Sequence, residues 1–241
     1  MRRIHRERAL LAGGGRALIM QLAHPAVAAG VAEHSDFPEG ALRRLRRTLD
    51  LSLALVYGSP AEQESAAARI RAVHERVRGE GYEASDPRLL LWVHATLVDT
   101  TVIVYSRFVG TIPDAAQLRY YEESKEAARM LGIPDEHIPP TFPELDGYLE
   151  EMLAGDELRA TPHSRALVRG VLRPPVNPAL RPAVGLSRLL TLAMLPDRIL
   201  ELFDLDAGRL ARGALTVSGK ASRTLLPVVP QQLRAFRAAR G

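Results

Sequence analysis

The sequence predicts an all-α fold, a single-domain bundle of roughly eight to ten helices around one buried central helix. Three observations predict it. Apolar residues recur at helical spacing in long runs, no set of segments alternates apolar and polar residues as strands do, and Pro and Gly separate the runs. With 241 residues the chain can bury a sizeable core, and we expect residues 1–241 to form one domain.

The predicted helices lie, in chain order, at 16–23, 42–56, 61–78, 88–108, 114–131, 141–153, 161–171, 183–194 and 197–212. We interpret the glycine run 13–15 as a flexible lead-in to the first of them. Ser59-Pro60 and Asp86-Pro87 each place a proline in a first turn, which is typical of helix starts. Residues 98–105 are rich in β-branched side chains and could form a strand, but the unbroken length of 89–108 favours a buried helix.

Composition excludes several classes of site. The chain has no cysteine, which rules out disulfides, zinc–thiolate sites, iron–sulfur clusters, a thiolate haem ligand and a cysteine nucleophile. The net charge of +4 comes largely from arginines near the ends, which are typical of solvated helix faces, so we expect no specific nucleic-acid binding. Asp99 lies in the middle of the most apolar run, where it would be costly in lipid. We therefore expect a cytoplasmic protein without a transmembrane segment.

Titratable groups lie inside otherwise apolar helices in three separate stretches, at 16–37, at 43–58 together with 70–79, and at 89–108. A polar group in an apolar interior costs a few kcal/mol unless a partner satisfies it. A buried cofactor that several of these groups contact is one explanation.

Arginines lie at the start of the second stretch. Arg44 and Thr48 are four residues apart and therefore share a helix face, with Arg47 beside them. A buried guanidinium keeps its charge and needs an anionic partner, such as a carboxylate or phosphate of a cofactor. The alternative is a solvated, arginine-rich first turn.

Histidines supply the candidate metal ligands. His74 lies at the edge of an apolar stripe, where a neutral imidazole could hold haem iron; it could equally be a half-buried histidine on a charged helix. His94 could be an iron ligand, a proton donor, or a core histidine bonded to a backbone carbonyl. His24 and His34 flank a helix break at Pro25. A di-iron carboxylate site is disfavoured because no Glu precedes His24, His74 or His94 by three residues.

Over about residues 10–155, and more loosely over the remainder, the chain resembles the bacterial branch of the MpaB/latex-clearing-protein oxygenase family. The resemblance rests on the order and spacing of several runs: GRALIMQLAHPAVAAGVAEHSDF, LRRTLDLSLALVYG, RAVHERVRG, LLLWVHATLVDTTVIVY and RYYEESKEAARMLGIP. It implies an all-helical fold. In the family's rubber oxygenases one histidine binds b-type haem and dioxygen cleaves isoprenoid double bonds, and fungal members act on a terpenoid side chain.

The resemblance also implies roles for single residues. Arg44 and Thr48 match an Arg and a Thr that lie beside the haem in the rubber oxygenases. Arg47 stands where those enzymes have a lysine that can cap the iron, and arginine is a poor ligand because it stays protonated. His74 matches the proximal histidine best, with His94 as the alternative.

We therefore expect an oxidoreductase, a haem b (iron)-dependent oxygenase that uses dioxygen on a hydrophobic, unsaturated substrate of isoprenoid or lipid-like character. Arg44, Arg47 and Thr48 are expected to be catalytic and His74 to hold the iron. His74, His94, Arg44 and Thr48 are expected to contact the cofactor. A homodimer is compatible with the sequence.

Two other functions stay open at this point. One is a haem- or lipid-binding helical protein without turnover, which would share the pocket but not the reactive iron. The other is a non-haem metal oxygenase in which His24, His34 and His94 hold the metal.

Overall fold

The computed structural model describes residues 1–35, 50–236 and 239, and the predicted all-α class is confirmed. The α-helices among these residues are α1 Arg2–His5, α2 Gly14–Leu22, α3 Pro25–His34, α4 50–57, α5 Pro60–His74, α6 Pro87–Phe108, α7 Asp114–Met130, α8 Phe142–Ala154, α9 Pro162–Leu172, α10 Arg181–Met194, α11 Asp197–Leu202, α12 Arg209–Leu225 and α13 Gln231–Arg234. Shorter 3-10 helices span Arg8–Gly13, Asp135–His137 and Pro178–Leu180. Strands β1 Arg78–Gly79 and β2 Tyr82–Glu83 form a small antiparallel hairpin.

The helix starts follow from local capping chemistry. The Ser59 hydroxyl accepts a hydrogen bond from the Glu62 amide, and the Glu62 carboxylate accepts one from the Ser59 amide at 2.8 Å. A carboxylate oxygen of Asp86 accepts from the Arg88 amide at 2.9 Å, with Pro87 in the first turn of α6. Each such cap stabilises a helix by about 1 kcal/mol. Both helix starts predicted from the sequence are confirmed.

Helix α6 forms the centre of the bundle. It contacts α2, α7, α8, α12 and the 3-10 helix Arg8–Gly13, and its side chains Trp92, Ala95 and Val104 are fully buried. The predicted buried central helix is therefore confirmed, and the strand alternative for 98–105 is wrong. By length and composition α6 could also cross a bilayer, but more than half of its most apolar stretch is buried inside the fold, as in a core helix.

Two predicted helix boundaries are wrong. Helix α5 ends at His74 rather than at 78, because the amides of Arg76 and Val77 form turn bonds and the chain then enters the hairpin. The predicted helix 197–212 is divided into α11 and α12. Asp204 adopts a φ of 54°, a left-handed conformation that Asp tolerates better than most residues, and this ends the first helix.

The glycine run 13–15 is not the flexible lead-in that we expected, because Gly14 and Gly15 belong to α2 and two of the three glycines are tightly packed. A Cβ on Gly13 would lie 2.6 Å from Cγ2 of Thr100 and 2.7 Å from Cγ2 of Val104. A Cβ on Gly15 would collide with the hydroxyl of Thr191 in α10. These glycines let the N-terminal segment approach α6 and α10 closely.

Gly13→Ala is therefore expected to lower the free energy of unfolding by about 1–3 kcal/mol, because the new methyl group must displace buried side chains of α6. Gly14→Ala is the matched control, since a Cβ there meets nothing within 4 Å. That variant should be neutral or stabilising by at most about 1 kcal/mol, the difference in helix propensity. Urea denaturation of both variants checks this, and equal stabilities would contradict the packing argument.

Candidate functional site

A buried arginine joins the N-terminal segment to the central helix. Arg16 in α2 is 2% exposed, and its Nε donates to the backbone oxygen of Met194 at 2.7 Å. Its two other guanidinium nitrogens reach Thr100 Oγ1 at 2.6 Å and Asp99 Oδ2 at 2.7 Å, both on α6. A buried guanidinium stays charged, and these three acceptors satisfy it. Two of the titratable groups found in apolar helices thus satisfy each other without a cofactor.

The Arg16–Asp99–Thr100 cluster was not predicted as a unit. The sequence marks Arg16 and Asp99 separately as charged residues in apolar helical runs, and their opposite signs were the signal that could have paired them. Next to this cluster, Gln21 Nε2 donates to Thr96 Oγ1 at 3.3 Å and further ties α2 to α6. The polar side chains of α2 therefore fix the rotation of α6 about its own axis.

Asp146 on α8 lies close enough to this cluster for the charge of Asp99 to affect the pKa of Asp146. Burial, together with the negative charges of Asp99 and Glu150, raises the pKa of Asp146 to about 6. Because this folded-state value exceeds the ordinary 3.8, the fold prefers the protonated carboxyl. Asp146 therefore changes its charge just below neutral pH.

Asp146→Asn should accordingly stabilise the protein near pH 7, by about 1 kcal/mol once partial solvent exposure is allowed for. A carboxyl of raised pKa contributes stability that is lost as the pH rises from 3.8 through about 6. The stability gained by Asp146→Asn should therefore shrink as the pH is lowered through this range. Asp156→Asn, at an exposed position, is the control and should change neither the stability at pH 7 nor its dependence on pH. Urea denaturation across this pH range tests the prediction, and a gain that persists unchanged at pH 4 would contradict it.

His94 on α6 is the most deeply buried of the predicted ligands. Its Nε2 has no hydrogen-bond partner, counted over the described residues. Burial lowers the pKa of His94 to about 4, so the imidazole is neutral at neutral pH. Leu97, one helical turn further on, is 49% exposed although its helix is mostly buried. An unpartnered ring nitrogen and an exposed apolar side chain thus lie within one turn of each other.

His74, the last residue of α5, is half-buried. Its Nδ1 is buried, and within the described part of the chain it has no hydrogen-bond partner. Burial lowers the pKa of His74, which again favours the neutral imidazole. Its neighbour Val73 is a large apolar side chain that is 38% exposed. Like His94, His74 therefore has a buried ring nitrogen without a partner among the described residues and an exposed apolar side chain beside it.

The chain that follows His74 is pinned to α3 by two contacts of the hairpin. The His34 ring nitrogen Nε2 lies 3.1 Å from the Arg78 backbone oxygen, and the Tyr82 hydroxyl donates to Glu33 at 2.7 Å. Arg71, one turn before His74, donates to the backbone oxygen of Met130 in α7. These contacts fix the end of α5 and thus the direction in which His74 can point.

The three-histidine metal site is not formed. His24 caps α3, its Nδ1 accepting from the Ala26 amide at 3.3 Å, which confirms the helix break at Pro25. Within residues 1–35 and 50–236, no three His, Asp or Glu side chains are placed so that they could share a metal ion, and the set His24, His34 and His94 is no exception. That alternative is therefore set aside.

Arg44, Arg47 and Thr48 lie outside the described residues, so their predicted roles stay predictions. His74 and His94 can be tested against a haem. Iron takes a neutral imidazole nitrogen, and each of these rings is kept neutral by burial and has a buried nitrogen without a partner among the described residues. Both residues fit the requirement for an axial ligand.

The comparison with known families agrees with the resemblance seen in the sequence. Residues 1–224 match the model of a family described as "ER-bound oxygenase mpaB/B'/Rubber oxygenase, catalytic domain". The chain belongs to this oxygenase family. The match covers the stretch 10–155, where the sequence shows the resemblance most clearly, and most of the remainder.

The curated relatives include the uncharacterized proteins Mb2261 of Mycobacterium bovis and Rv2237 of Mycobacterium tuberculosis. Each is 28% identical over 163 residues, which cover 64% of this chain and 63% of the relative. The chain thus spans less than two thirds of the length of these relatives. No solved structure matches the chain.

Proposed function

We propose that this chain is a haem-dependent oxygenase that uses dioxygen on a hydrophobic, unsaturated substrate, with His74 as the iron ligand. The observation that carries the proposal is the match of residues 1–224 to the oxygenase catalytic-domain family. His74 Nδ1 and His94 Nε2 support it: both are buried and lack a partner among the described residues, and a polar atom left so in an interior is costly unless a ligand meets it.

Haem, when bound, supplies the activation of dioxygen, and the protein supplies binding, orientation and exclusion of water. His74 is the preferred ligand because it matches the family's proximal histidine and lies half-buried at a helix end, where a ligand can reach it from one side. His94 is the alternative ligand. The Arg16–Asp99–Thr100 cluster holds α6, and therefore His94, in one orientation.

Arg44, Arg47 and Thr48 complete the proposed site. Arg44 would pair with a haem propionate, since guanidinium pairs with carboxylates through two parallel hydrogen bonds. Thr48, four residues later in the sequence, would contact the cofactor through its hydroxyl. Arg47 would not cap the iron because it stays protonated.

A hydrophobic substrate is supported by the side chains beside both candidate ligands. Val73 and Leu97 are substantially exposed, and each lies within one turn of a histidine. Apolar side chains that face water beside a candidate ligand favour an apolar molecule as the occupant of the site. The family description also names rubber oxygenases, and rubber is an apolar substrate.

The test is to produce the chain with haem supplied during expression and to record its absorption spectrum. A Soret band with stoichiometric iron is expected, and a wild-type protein without one would reject haem dependence. His74→Ala should abolish or shift the band, whereas His163→Ala, at an exposed position on α9, is the control and should leave it unchanged. Loss of the band in His94→Ala but not in His74→Ala would assign the iron to His94.

Turnover requires a second measurement. Oxygen consumption with an isoprenoid or unsaturated lipid is expected in the haem-loaded protein. Stable haem binding without product from any such substrate would support a carrier in place of an oxygenase.

A further inference from the structure

A cavity of about 330 Å³ lies between the loop that follows α9 and the first half of α10. Three arginines line it, Arg173, Arg181 and Arg188, together with apolar side chains such as Leu172 and Val184. None of the residues that line it, all of them in the described part of the chain, is acidic. Its chemistry suits a phosphate or carboxylate group joined to an apolar chain.

Helix α12 presents an unusual outer face. Its inner side is buried, while Leu210 and Val217 on the outer side are 74% and 67% exposed. At 100° per residue these two side chains share one strip, and a parallel strip carries the basic side chains. The basic residues are Arg209, Arg212, Lys220 and Arg223, and the sequence of α12 contains no acidic residue. Apolar and basic groups are therefore separated on the exposed side of this helix.

Helices α10 and α12 pack side by side, so the cavity and the exposed strips lie on neighbouring helices. We call the three cavity arginines and the exposed side of α12 the basic–apolar face. The charged residues are also distributed unevenly along the chain. Residues 173–241 contain 11 Arg and Lys against four Asp and Glu, whereas residues 1–172 contain 21 against 24. The excess positive charge of the protein is thus concentrated in the segment that builds this face.

We propose that the basic–apolar face docks on a bilayer that contains anionic lipid. Leu210 and Val217 enter the interfacial region, and the arginines of the cavity bind a lipid headgroup phosphate. Exposed apolar side chains beside cationic ones, without acidic neighbours on the same helix, are the pattern of helices that lie in a membrane interface. The proposal is independent of the oxygenase reaction.

Other occupants fit the face less well. A two-fold contact with a second copy would place the same arginines against one another, and like charges in a desolvated interface are destabilising. A nucleic acid would pair with the cations but would leave Leu210 and Val217 without apolar partners. An anionic bilayer matches both the charge and the exposed apolar groups.

Co-sedimentation with lipid vesicles tests the proposal. We expect the purified protein to bind vesicles of phosphatidylcholine mixed with phosphatidylglycerol and not vesicles of phosphatidylcholine alone. Raising the salt concentration should weaken the binding, because salt shortens the range of the electrostatic attraction. Absence of binding to the mixed vesicles, or equal binding to both kinds, would overturn the proposal.

Variants locate the binding on this face. Arg181→Gln with Arg188→Gln should lower the partition coefficient about 30-fold, the effect expected from removing two cations near an anionic surface. Arg3→Gln with Arg119→Gln removes the same charge from exposed positions elsewhere and is the matched control. An equal loss in the control would show attraction by net charge alone and overturn the proposal.

Separate experiments test the apolar contribution to vesicle binding and the alternative occupants of the face. Leu210→Ser with Val217→Ser should weaken vesicle binding about tenfold even at high salt, because it removes apolar burial and no charge. Saturable calorimetric binding of inorganic phosphate, without vesicle binding, would assign the cavity to a free anion. A dimer in sedimentation experiments that this second double variant dissociates would assign the face to self-association. Either of these results would overturn the bilayer proposal.

Discussion

Arg16→Met is expected to lower the free energy of unfolding by about 3–5 kcal/mol, the largest effect that the structure predicts for a single substitution. The change removes a buried cation whose guanidinium bonds the Met194 carbonyl, the Thr100 hydroxyl and the Asp99 carboxylate. Asp99 then keeps a desolvated charge without its partner, and this cost exceeds the loss of the attraction itself. Denaturation in urea, followed by the fluorescence of Trp92, the single tryptophan of the chain, measures the loss.

Arg88→Met is the matched control for this prediction. Arg88 is also paired with an aspartate, Asp86, but the pair is exposed to solvent, and exposed pairs contribute little. The denaturation midpoint of this variant should stay close to that of the wild type. If both Arg→Met variants were destabilised equally, the burial of the Arg16 pair would not be the cause.

A double variant separates the ion pair from simple packing. Replacing both partners, as Arg16→Met with Asp99→Leu, should recover a large part of the stability lost in Arg16→Met, because no buried charge is then left without a partner. Simple additivity of the two single substitutions would contradict the assigned role of the pair. The same double variant should also move the pKa of Asp146 downward, since the Asp99 charge helps to raise it.

The fold could be predicted from the sequence because its main determinants are local. Apolar residues at helical spacing over 89–108 specify a long helix, and Asp86 with Pro87 fixes where that helix begins. The wrong boundary at 197–212 has the opposite origin. The apolar pattern continues through Asp204, and only the left-handed backbone of that residue ends the helix. The backbone conformation of a single residue cannot be predicted from the spacing of apolar residues.

The candidate site was harder to predict because it depends on contacts between distant segments. The sequence shows Arg16 and Asp99 as charges in apolar runs, but their pairing depends on how α2 crosses α6. The tight packing of Gly13 against α6 was missed for the same reason, since a glycine run is also typical of a loop. Burial of His74 and His94 could be expected from the apolar pattern, whereas the absence of partners for their ring nitrogens among the described residues could not.

The second large effect is expected in acid, where the free energy of unfolding should fall by about 5 kcal/mol between pH 6.5 and pH 4. Two histidines make the largest contributions to it. Burial, aided by the positive amino terminus, lowers the pKa of His5 to about 4, and burial alone does the same for His94. The unfolded chain binds a proton at each site near pH 6.5 and the folded chain does not until about pH 4. Each histidine therefore contributes stability that is complete above pH 6.5 and declines by about 1.4 kcal/mol per pH unit below it.

Removal of one titrating group should halve the slope. His94→Leu replaces an unpartnered imidazole by an apolar side chain, so we expect a change of less than about 1.5 kcal/mol at neutral pH and a much shallower decline in acid. His5→Phe should act similarly, because the aromatic contact with Tyr120, at 5.7 Å between ring centroids, can be kept. His163→Leu, at an exposed position, should leave the slope of the wild type.

Asp146 opposes this acid effect and must be separated from it. Its raised pKa gives back about 1 kcal/mol as the pH falls through 6, so the decline should be slightly steeper in Asp146→Asn than in the wild type. A wild-type stability that stays constant from pH 6.5 to pH 4.5, or a His94→Leu variant with an unchanged slope, would mean that His94 takes up its proton in the folded state. In that case water or an acidic side chain must reach the ring, and the apolar surroundings from which a ligand-binding role for His94 is argued would not exist.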